Sequence, residues 1–259
     1  MKVAYSRVQS SVVRGKDYVR EKISMMNKKE VSARITEIGI MASVRVSATE
    51  LALFAAETVY EAGIPVVEIT NTVPNAIDVI TQLTRNYPNF IVGAGTVLDT
   101  ETAKRCLDAG AWFITSPGLI PDVVEFTLKN ETVVIPGALT PSEVIAAWRA
   151  GADFVKIFPC AQLGGDQYIR TLKVPLPQVS LIASGGVNQA TAANFIVAGA
   201  AAIGVGSELM PRKALLARQD QWIIELARRF IEAVRNARIN LGRDADLGLN
   251  HQRRGIVTC

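Results

Sequence analysis

The sequence predicts a single (β/α)8 barrel, because of its length, its composition and a repeated strand–helix unit. Its 259 residues match the roughly 250 that such a barrel needs. Apolar residues make up 49% and charged residues 20%, which is enough to bury a large core. Eight short apolar runs recur at intervals of 20 to 27 residues, each followed by a helical stretch. This alternation indicates βαβ units and a parallel sheet, with an open doubly wound sheet as the alternative.

The eight runs are rich in Val, Ile and Ala and end in small or polar residues. They begin near positions 39, 66, 91, 113, 133, 154, 180 and 202 and read GIMASVR, VVEIT, IVGAGT, FITSPG, VVIPGAL, FVKIFP, SLIASGG and AIGVGSE. Capping residues mark the helices between them. Residues 47–50 open one helix that ends at Gly63, and residues 140–143 open another, in capping-box style, that ends at Gly151.

The two ends of the chain fall outside the repeat. We expect residues 1–26 to form a basic, flexible N-terminal extension, residues 27–238 the barrel, and residues 239–259 a loose C-terminal tail. An amphipathic segment from Asn27 to Glu37 is predicted to cap the floor of the barrel. A last helix is predicted from about Gln219 to Arg238.

Cysteine and histidine usage excludes several kinds of site. Cys106, Cys160 and Cys259 are widely separated and odd in number, which is typical of reduced intracellular thiols rather than of a disulfide framework. Cys160 is interpreted as a packing residue rather than a nucleophile. His251 is the only histidine and lies in the polar tail. A His/Cys zinc site, a Ser-His-Asp triad and a Cys-His pair are therefore excluded, and we expect no metal and no cofactor.

The basic charge of the chain is confined to its beginning. Residues 1–29 carry a net charge of +6, and the remaining residues sum to −2, so nucleic-acid binding is not predicted. No run reaches the roughly 18–20 apolar residues of a membrane span. The N-terminus also lacks the apolar region of a secretory signal. We therefore expect a cytoplasmic protein without nucleic-acid or membrane partners, in which residues 1–29 are a non-functional extension.

We single out three charged residues in the apolar runs, namely Arg45, Glu68 and Lys156. Strands of a parallel barrel are covered on both faces, so charges within them are unusual. Side-chain alternation turns Lys156 inward with Phe158 and places Glu68 on the face opposite Val67. Active sites of this fold lie at the C-terminal ends of the strands, so the three charges form a candidate site. A buried Lys–Glu ion pair that only stabilises the core is the alternative.

The residue types in this candidate site indicate imine chemistry. A lysine amine among phenylalanine rings can attack a ketone and, after loss of water, become an imine that accepts electrons. Glu68 can move protons on the carbinolamine, on the substrate hydroxyl and on the enamine carbon. Arg45 can hold a carboxylate. The sequence thus predicts a Schiff-base (class I) aldolase in which Lys156 captures a 2-keto acid.

Two glycine-containing turns indicate a phosphate site. Residues 184–186 (SGG) end the seventh strand and residues 204–207 (GVGS) end the eighth, where barrels of this fold often bind phosphate through backbone N–H groups. Ligand-free tight turns are the alternative. Thr96 and residues 116–118, which include Pro117, end the third and fourth strands and are expected to line the mouth of the barrel.

Together these motifs resemble the 2-keto-3-deoxy-6-phosphogluconate (KDPG) / 4-hydroxy-2-oxoglutarate (KHG) aldolase family. The resemblance covers about residues 35 to 235 and rests on VEIT, IVGAGTVL, ITSPG, IPGALTPSE, FVKIFP, SGGV and GVGSEL. It implies a metal-independent homotrimer of (β/α)8 barrels that acts in the Entner–Doudoroff route. The implied partner is a small phosphorylated 2-keto acid.

The resemblance also implies a role for each matching residue. Lys156 matches the lysine that makes the Schiff base, Glu68 the proton shuttle and Thr96 the threonine that contacts the pyruvyl carboxylate. The phosphate is held by the turn that matches Ser184, Gly185 and Gly186, together with Gly206 and Ser207.

One departure concerns the residue after the VEIT strand. Some members carry an arginine there that contacts the substrate carboxylate, where this chain has Asn71. Other members carry an arginine on the first strand instead, as Arg45 stands here. A first-strand arginine with an asparagine after the acid also occurs in the galactonate-epimer aldolases. Asn71, Pro117 and Phe158 are expected to line the pocket.

These observations predict cleavage of KDPG to pyruvate and glyceraldehyde 3-phosphate, with KHG as a further substrate and 2-keto-3-deoxy-6-phosphogalactonate as the alternative. Two other classes stay open. A phosphate-binding barrel synthase, such as one that makes thiamine phosphate, would need several acidic Mg²⁺ ligands, whereas the strands offer only Glu68. A catalytically inactive barrel that serves assembly would function without Lys156.

Overall fold

The computed structural model describes residues 26–246, and strands and helices alternate along them. The strands are β1 (Ile40–Val44), β2 (Val66–Thr70), β3 (Ile91–Gly95), β4 (Phe113–Thr115), β5 (Val133–Ile135), β6 (Gly137–Ala138), β7 (Val155–Ile157), β8 (Leu181–Ser184) and β9 (Ala202–Val205). The helices are α1 (Lys28–Ile38), α2 (Thr49–Glu61), α3 (Ala76–Asn86), α4 (Thr100–Asp108), α5 (Pro121–Lys129), α6 (Pro141–Arg149), α7 (Asp166–Lys173), α8 (Ala192–Val197), α9 (Arg212–Leu216) and α10 (Asp220–Asp246). Residues 1–25 of the predicted extension and 247–259 of the predicted tail, with His251 and Cys259, lie outside the described residues.

The strands form one parallel sheet that closes on itself. Their order is β5-β4-β3-β2-β1-β9-β8-β7-β6. The two strands at the ends of this order, β5 and β6, are separated in the chain only by Pro136, which has no N–H to donate. The carbonyl of Pro136 accepts a hydrogen bond of 2.9 Å from the backbone N–H of Lys156, while β5 pairs with β4. Strands β5 and β6 are therefore halves of one strand, and the predicted (β/α)8 barrel is confirmed.

The helix that follows this split strand begins with the predicted capping box. Oγ1 of Thr140 accepts from the backbone N–H of Glu143 at 3.4 Å, and Oε2 of Glu143 accepts from the N–H of Thr140 at 2.7 Å. Pro141 occupies the first helical position, where a missing N–H costs nothing. The helices cover the outside of the barrel, and apolar side chains fill the layer between the strands and the helices. Within residues 26–246, no helix is both long and apolar enough to cross a membrane.

The inside of the barrel has an apolar layer at its N-terminal end, which α1 covers. Val31 and Ile35, one turn apart on α1, are both buried against this layer. We call the layer the floor. Its buried residues outside α1 are Met41, Val66, Ile91, Phe113, Val133, Ile135, Phe154, Ile182 and Ala202, of which Phe154 directly precedes β7. A capping box at Asn27 begins α1, and Gly39, at φ 70°, ends it. The predicted cap on the floor is thus present.

The last helix is longer than predicted. It continues to Asp246 instead of ending near Arg238, so residues 239–246 of the predicted tail are helical. The reason is that its apolar face continues, because Ala237 is buried and Leu241 packs against the core. The guanidinium of Arg238 also donates to the carbonyls of Thr36 and Glu37 at the end of α1, which joins the last helix to the cap on the floor.

Candidate active site

Lys156 of β7 and Glu68 of β2 meet inside the barrel, above the floor. Nζ of Lys156 lies 3.1 Å from Oε2 and 3.5 Å from Oε1 of Glu68. The two residues are 6% and 1% exposed. Both side chains point into the barrel, as the alternation of side chains predicts. A buried amine and a buried carboxylate at this distance can exchange protons with a ligand bound beside them.

Glycine residues in β3 make the room that the carboxylate occupies. A Cβ atom at Gly95 would lie 2.4 Å from Oε1 of Glu68, and one at Gly93 would lie 2.2 Å from the ring of Phe113. No side chain larger than hydrogen fits at either position without displacing its neighbour. The IVGAGT motif therefore shapes the inside of the barrel around Glu68.

Two further side chains contact the buried pair. The hydroxyl of Thr115 in β4, which is 0% exposed, donates to Oε2 of Glu68 at 3.0 Å. The ring centroid of Phe158 lies 5.6 Å from Nζ of Lys156, within the range of a cation–π interaction. Phe158 was expected here from the sequence, whereas Thr115 was missed. The signal for Thr115 is its position two residues after the inward-facing Phe113.

A cavity of about 790 Å³ opens above this pair, at the C-terminal ends of β1, β2, β7, β8 and β9. We call this cavity the mouth, and its size suits a small-molecule ligand. The residues expected from the sequence that line it are Arg45, Glu68, Lys156, Phe158, Ser184, Gly185, Gly186, Gly206 and Ser207. Of the predicted groups, the structure thus brings together the acid, the amine, the guanidinium of Arg45 and both glycine turns.

The mouth is also lined by residues that sequence reasoning missed. They include Ser43, Ser47, Leu51, Thr72, Glu208, Met210, Arg212, Leu215 and Leu216. Ser43 lies beside Glu68 in the pairing of β1 with β2, and its Oγ is buried without a hydrogen-bond partner within residues 26–246. A buried hydroxyl of this kind in a cavity wall is available to a ligand.

The glycine turn after β8 is held in a conformation that requires glycine. Gly185 and Gly186 have φ values of 86° and 81°, and a Cβ at Gly186 would lie 2.3 Å from Cβ of Ala161. In the part of the chain that the structure describes, the N–H groups of Gly185, Gly186, Gly206 and Ser207 donate no hydrogen bond. These four donors in the mouth form a site that suits an anion such as phosphate.

Asn71 is not among the residues that line the mouth, so its place in the pocket stays a prediction. Its Nδ2 donates to the carbonyl of Gly95 at 3.0 Å, and its amide lies 3.8 Å from Sγ of Cys106 on α4. Side-chain alternation explains this position, because Glu68 faces inward and Asn71 comes three residues later, on the outward face. Thr72 lines the mouth instead.

Thr96 and Pro117 also lie outside the lining of the mouth. Thr96 follows β3 with φ 59°, in the left-handed region, and its side chain is half-buried. Pro117 is exposed, and its carbonyl packs so closely on β6 that a Cβ at Gly137 would lie 2.2 Å away. The expectation that Pro117 lines the pocket is therefore not met by this cavity, and the carboxylate contact of Thr96 stays a prediction.

The two described cysteines are buried thiols. Burial raises the pKa of Cys160 to about 12 and that of Cys106 to about 11. Cys160 packs in the layer between strands and helices, as its interpretation as a packing residue requires. Among residues 26–246, no three His, Cys, Asp or Glu side chains are grouped in a way that could hold a metal ion.

Comparison with known proteins matches most of the chain to one family. The family model for KDPG and KHG aldolase matches residues 31–226. The KHG/KDPG aldolase of Escherichia coli K12 is 30% identical over 212 residues, which cover 82% of this chain and 100% of the relative. The 2-dehydro-3-deoxy-6-phosphogalactonate aldolase of the same organism is 32% identical over 201 residues, which cover 77% of this chain and 98% of the relative.

A solved structure extends the match to three dimensions. The KDPG aldolase from Legionella pneumophila, with pyruvate captured as a covalent carbinolamine intermediate, is similar to this chain with a TM-score of 0.70 and 29% identity. The match covers 76% of this chain and 96% of that one. The family resemblance drawn from the motifs is therefore confirmed, and the chain belongs to the KDPG and KHG aldolase family, whose members are carbon–carbon lyases.

Proposed function

We propose that the protein is a class I aldolase that reversibly cleaves KDPG to pyruvate and glyceraldehyde 3-phosphate, with Lys156 as the imine-forming residue. The observation that carries this proposal is the contact of 3.1 Å between Nζ of Lys156 and Oε2 of Glu68 in the wall of the mouth. The Legionella relative, in which pyruvate is captured as a carbinolamine, supports the same chemistry.

The reaction begins with the transfer of a proton from Lys156 to Glu68, which leaves a neutral amine. The amine attacks the C2 carbonyl of the keto acid, and Glu68 returns the proton so that the carbinolamine hydroxyl leaves as water. The resulting iminium accepts the electron pair of the C3–C4 bond while Glu68 removes the proton of the C4 hydroxyl. The aldehyde departs, Glu68 protonates C3 of the enamine, and water releases pyruvate from Lys156.

The two ends of the substrate need their own contacts. Arg45 at the end of β1 lines the mouth, and we assign it, with Thr96, to the substrate carboxylate. The four N–H groups of Gly185, Gly186, Gly206 and Ser207 are assigned to the phosphate. Bare amides can approach phosphate oxygens closely because glycine carries no side chain, and the hydroxyls of Ser184 and Ser207 add two further donors.

Borohydride trapping tests the imine directly. Incubation with pyruvate and sodium borohydride should leave a reduced pyruvyl group on Lys156, located by mass spectrometry of peptides. The matched control is Lys173, a half-buried lysine at the end of α7 whose pKa is lowered by burial. The variant Lys156→Ala should give no adduct, and Lys173→Ala should give the wild-type amount. No adduct on the wild-type protein, or an adduct on Lys173, would contradict the proposal.

Steady-state kinetics can identify which sugar acid is the preferred substrate. The similarity to the 2-dehydro-3-deoxy-6-phosphogalactonate aldolase keeps the galactonate epimer as the second candidate. We expect kcat/KM for KDPG to exceed that for the galactonate epimer and that for unphosphorylated KHG, because KHG leaves the phosphate donors unpaired. A higher value for the galactonate epimer would change the substrate assignment and leave the imine chemistry intact.

The proposal extends to assembly and place of action. We propose a homotrimer that acts on sugar acids of the Entner–Doudoroff route in the cytoplasm. Light scattering coupled to size-exclusion chromatography measures the mass of the assembly, and a mass of one or two chains would contradict the trimer.

A further inference from the structure

The carboxylate of Glu68 receives two hydrogen bonds on the same oxygen. Nζ of Lys156 on β7 lies 3.1 Å from Oε2, and Oγ1 of Thr115 on β4 lies 3.0 Å from it. The other oxygen, Oε1, is 3.5 Å from Nζ and is bordered by Gly95. The two oxygens of the carboxylate are therefore not equivalent, because Oε2 is held by two donors and Oε1 by one long contact.

The Thr115 hydroxyl is fixed where it is. The residue is fully buried in β4, so water does not compete for the hydroxyl. The backbone is held by the pairing of β4 with β5 and by the carbonyl of Thr115, which accepts from the N–H of Val97 at 3.1 Å. Valine has nearly the same shape and would fill the same volume. What distinguishes threonine from valine here is the donor that it presents to Glu68.

The two donors on Oε2 behave differently during an imine reaction. Lys156 changes from ammonium to amine to imine and carries a substrate, so its bond to Glu68 is broken and remade. Thr115 has no part in these covalent steps, and its bond to Oε2 persists. The carboxylate then keeps one orientation throughout, with Oε1 left to exchange protons with the substrate.

We infer that Thr115 is a positioning residue for the proton transfers of Glu68. This inference rests on the proposed function, since it assigns Glu68 to proton transfer. Thr115 is not among the residues that line the mouth, and its hydroxyl donates to the carboxylate of Glu68, so we expect it to act through that carboxylate. Its loss should therefore slow proton transfer at carbon more than it reduces the amount of imine.

Hydrogen exchange on pyruvate separates these two quantities. In D₂O, an enzyme that forms the imine and deprotonates C3 replaces the methyl protons of pyruvate with deuterium, which proton NMR follows. The reaction needs no aldehyde and does not depend on the epimer of the sugar acid. Borohydride trapping at saturating pyruvate measures the amount of imine on the same samples.

Thr115→Val and Thr115→Ser are the informative variants. We expect Thr115→Val to exchange about tenfold more slowly than wild type, the effect of losing one hydrogen bond to a charged group, while the trapped imine stays near the wild-type amount. Thr115→Ser restores the hydroxyl and should exchange within about threefold of wild type. Thr127→Val is the control, because Thr127 is equally buried but donates to the backbone carbonyl of Val123 in α5.

Three results would overturn the inference: wild-type exchange in Thr115→Val, an equal slowing in Thr127→Val, or no recovery in Thr115→Ser. If Thr115→Val does not fold, Thr115→Ala removes the same hydroxyl without the γ-methyl groups and carries the same comparison. Absence of trapped imine on the wild-type protein would instead count against the proposed function. The failure of one is therefore distinguishable from the failure of the other.

Discussion

The floor and the mouth of the barrel are built from the same strands, two residues apart. In β1, β2, β4 and β8, and in β7 together with the residue before it, the inward residue nearer the N-terminal end is apolar and the next inward residue is polar or charged. The pairs, floor residue first, are Met41 and Ser43, Val66 and Glu68, Phe113 and Thr115, Phe154 and Lys156, and Ile182 and Ser184. The floor residues pack against α1. The second residue of each pair lines the mouth or, for Thr115, contacts the carboxylate of Glu68 beside it.

This difference separates stability from chemistry within a single strand. Because inward side chains recur every second residue, a strand can contribute to both layers without one residue serving two purposes. The floor gains free energy by removing apolar surface from water. The mouth lowers the stability of the fold, because burying an amine and a carboxylate costs desolvation free energy. We therefore expect substitutions in the floor to change stability, and substitutions in the mouth to change rate first.

The largest effect should follow the removal of the amine. Lys156→Met is expected to lower aldolase activity to about one thousandth or less of wild type, because no other residue in the mouth can form the imine. It should also lower the free energy of unfolding by about 3 kcal/mol, since Glu68 loses the partner at 3.1 Å. Activity assays and urea denaturation measure the two effects.

The double variant Lys156→Met, Glu68→Gln separates the loss of stability from the loss of activity. A neutral amide at position 68 can still accept the hydrogen bond from Thr115 and leaves no unpaired charge, so most of the lost stability should return while activity stays absent. Wild-type activity in either variant would contradict the assignment of Lys156. A double variant no more stable than Lys156→Met would show that the unpaired carboxylate is not the source of the instability.

The next effect concerns the floor and should appear in stability alone. Ile35→Ala on α1 removes a side chain that is 1% exposed against the floor, and we expect a loss of about 3 kcal/mol in the free energy of unfolding. The kcat should stay within about twofold of wild type, because the floor contacts no substrate atom and distant sites act independently. Chemical denaturation and steady-state kinetics give the two numbers.

Arg34→Ala is the matched control on the same helix. Arg34 is paired with Glu37 on the surface, and such pairs contribute about 0–1 kcal/mol. Equal losses in Ile35→Ala and Arg34→Ala would contradict the importance of the floor. A large fall in kcat for Ile35→Ala would show that the floor and the mouth are coupled.

Much of this arrangement is predictable from the sequence, because strand alternation and charge in apolar strands are local signals. The eight strands, the cap on the floor and the meeting of Glu68 with Lys156 all follow from them. The same strand alternation could also have predicted Thr72 and Thr115. Extending the two-residue period one step beyond Glu68 and Thr70 leads to Thr72, and extending it from Phe113 leads to Thr115.

Other features depend on neighbours that are distant in the sequence. Gly95 is required by the carboxylate of Glu68, which comes from another strand. The contact of the last helix with the cap on the floor is made by Arg238 and the carbonyls of Thr36 and Glu37, about 200 residues earlier in the chain. The division of the fifth strand at Pro136 depends on which neighbour each half pairs with. A local pattern does not contain these partners, so it could not predict these features.

The smallest effect is expected at Cys160, which lies at the level of the mouth but faces the outer apolar layer. Burial raises the pKa of its thiol to about 12, so the reactive thiolate is a minor species at pH 8 and becomes more abundant only as the pH approaches that value. We expect iodoacetamide to label Cys160 far more slowly in the native protein than in guanidinium chloride, as measured by mass spectrometry. Cys160→Ala should keep kcat within about twofold of wild type, because the sulfur packs in the outer layer, 3.7 Å from the carbonyl oxygen of Gly165, and does not line the mouth. Rapid native labelling that parallels loss of activity would place Cys160 with the mouth rather than with the outer layer.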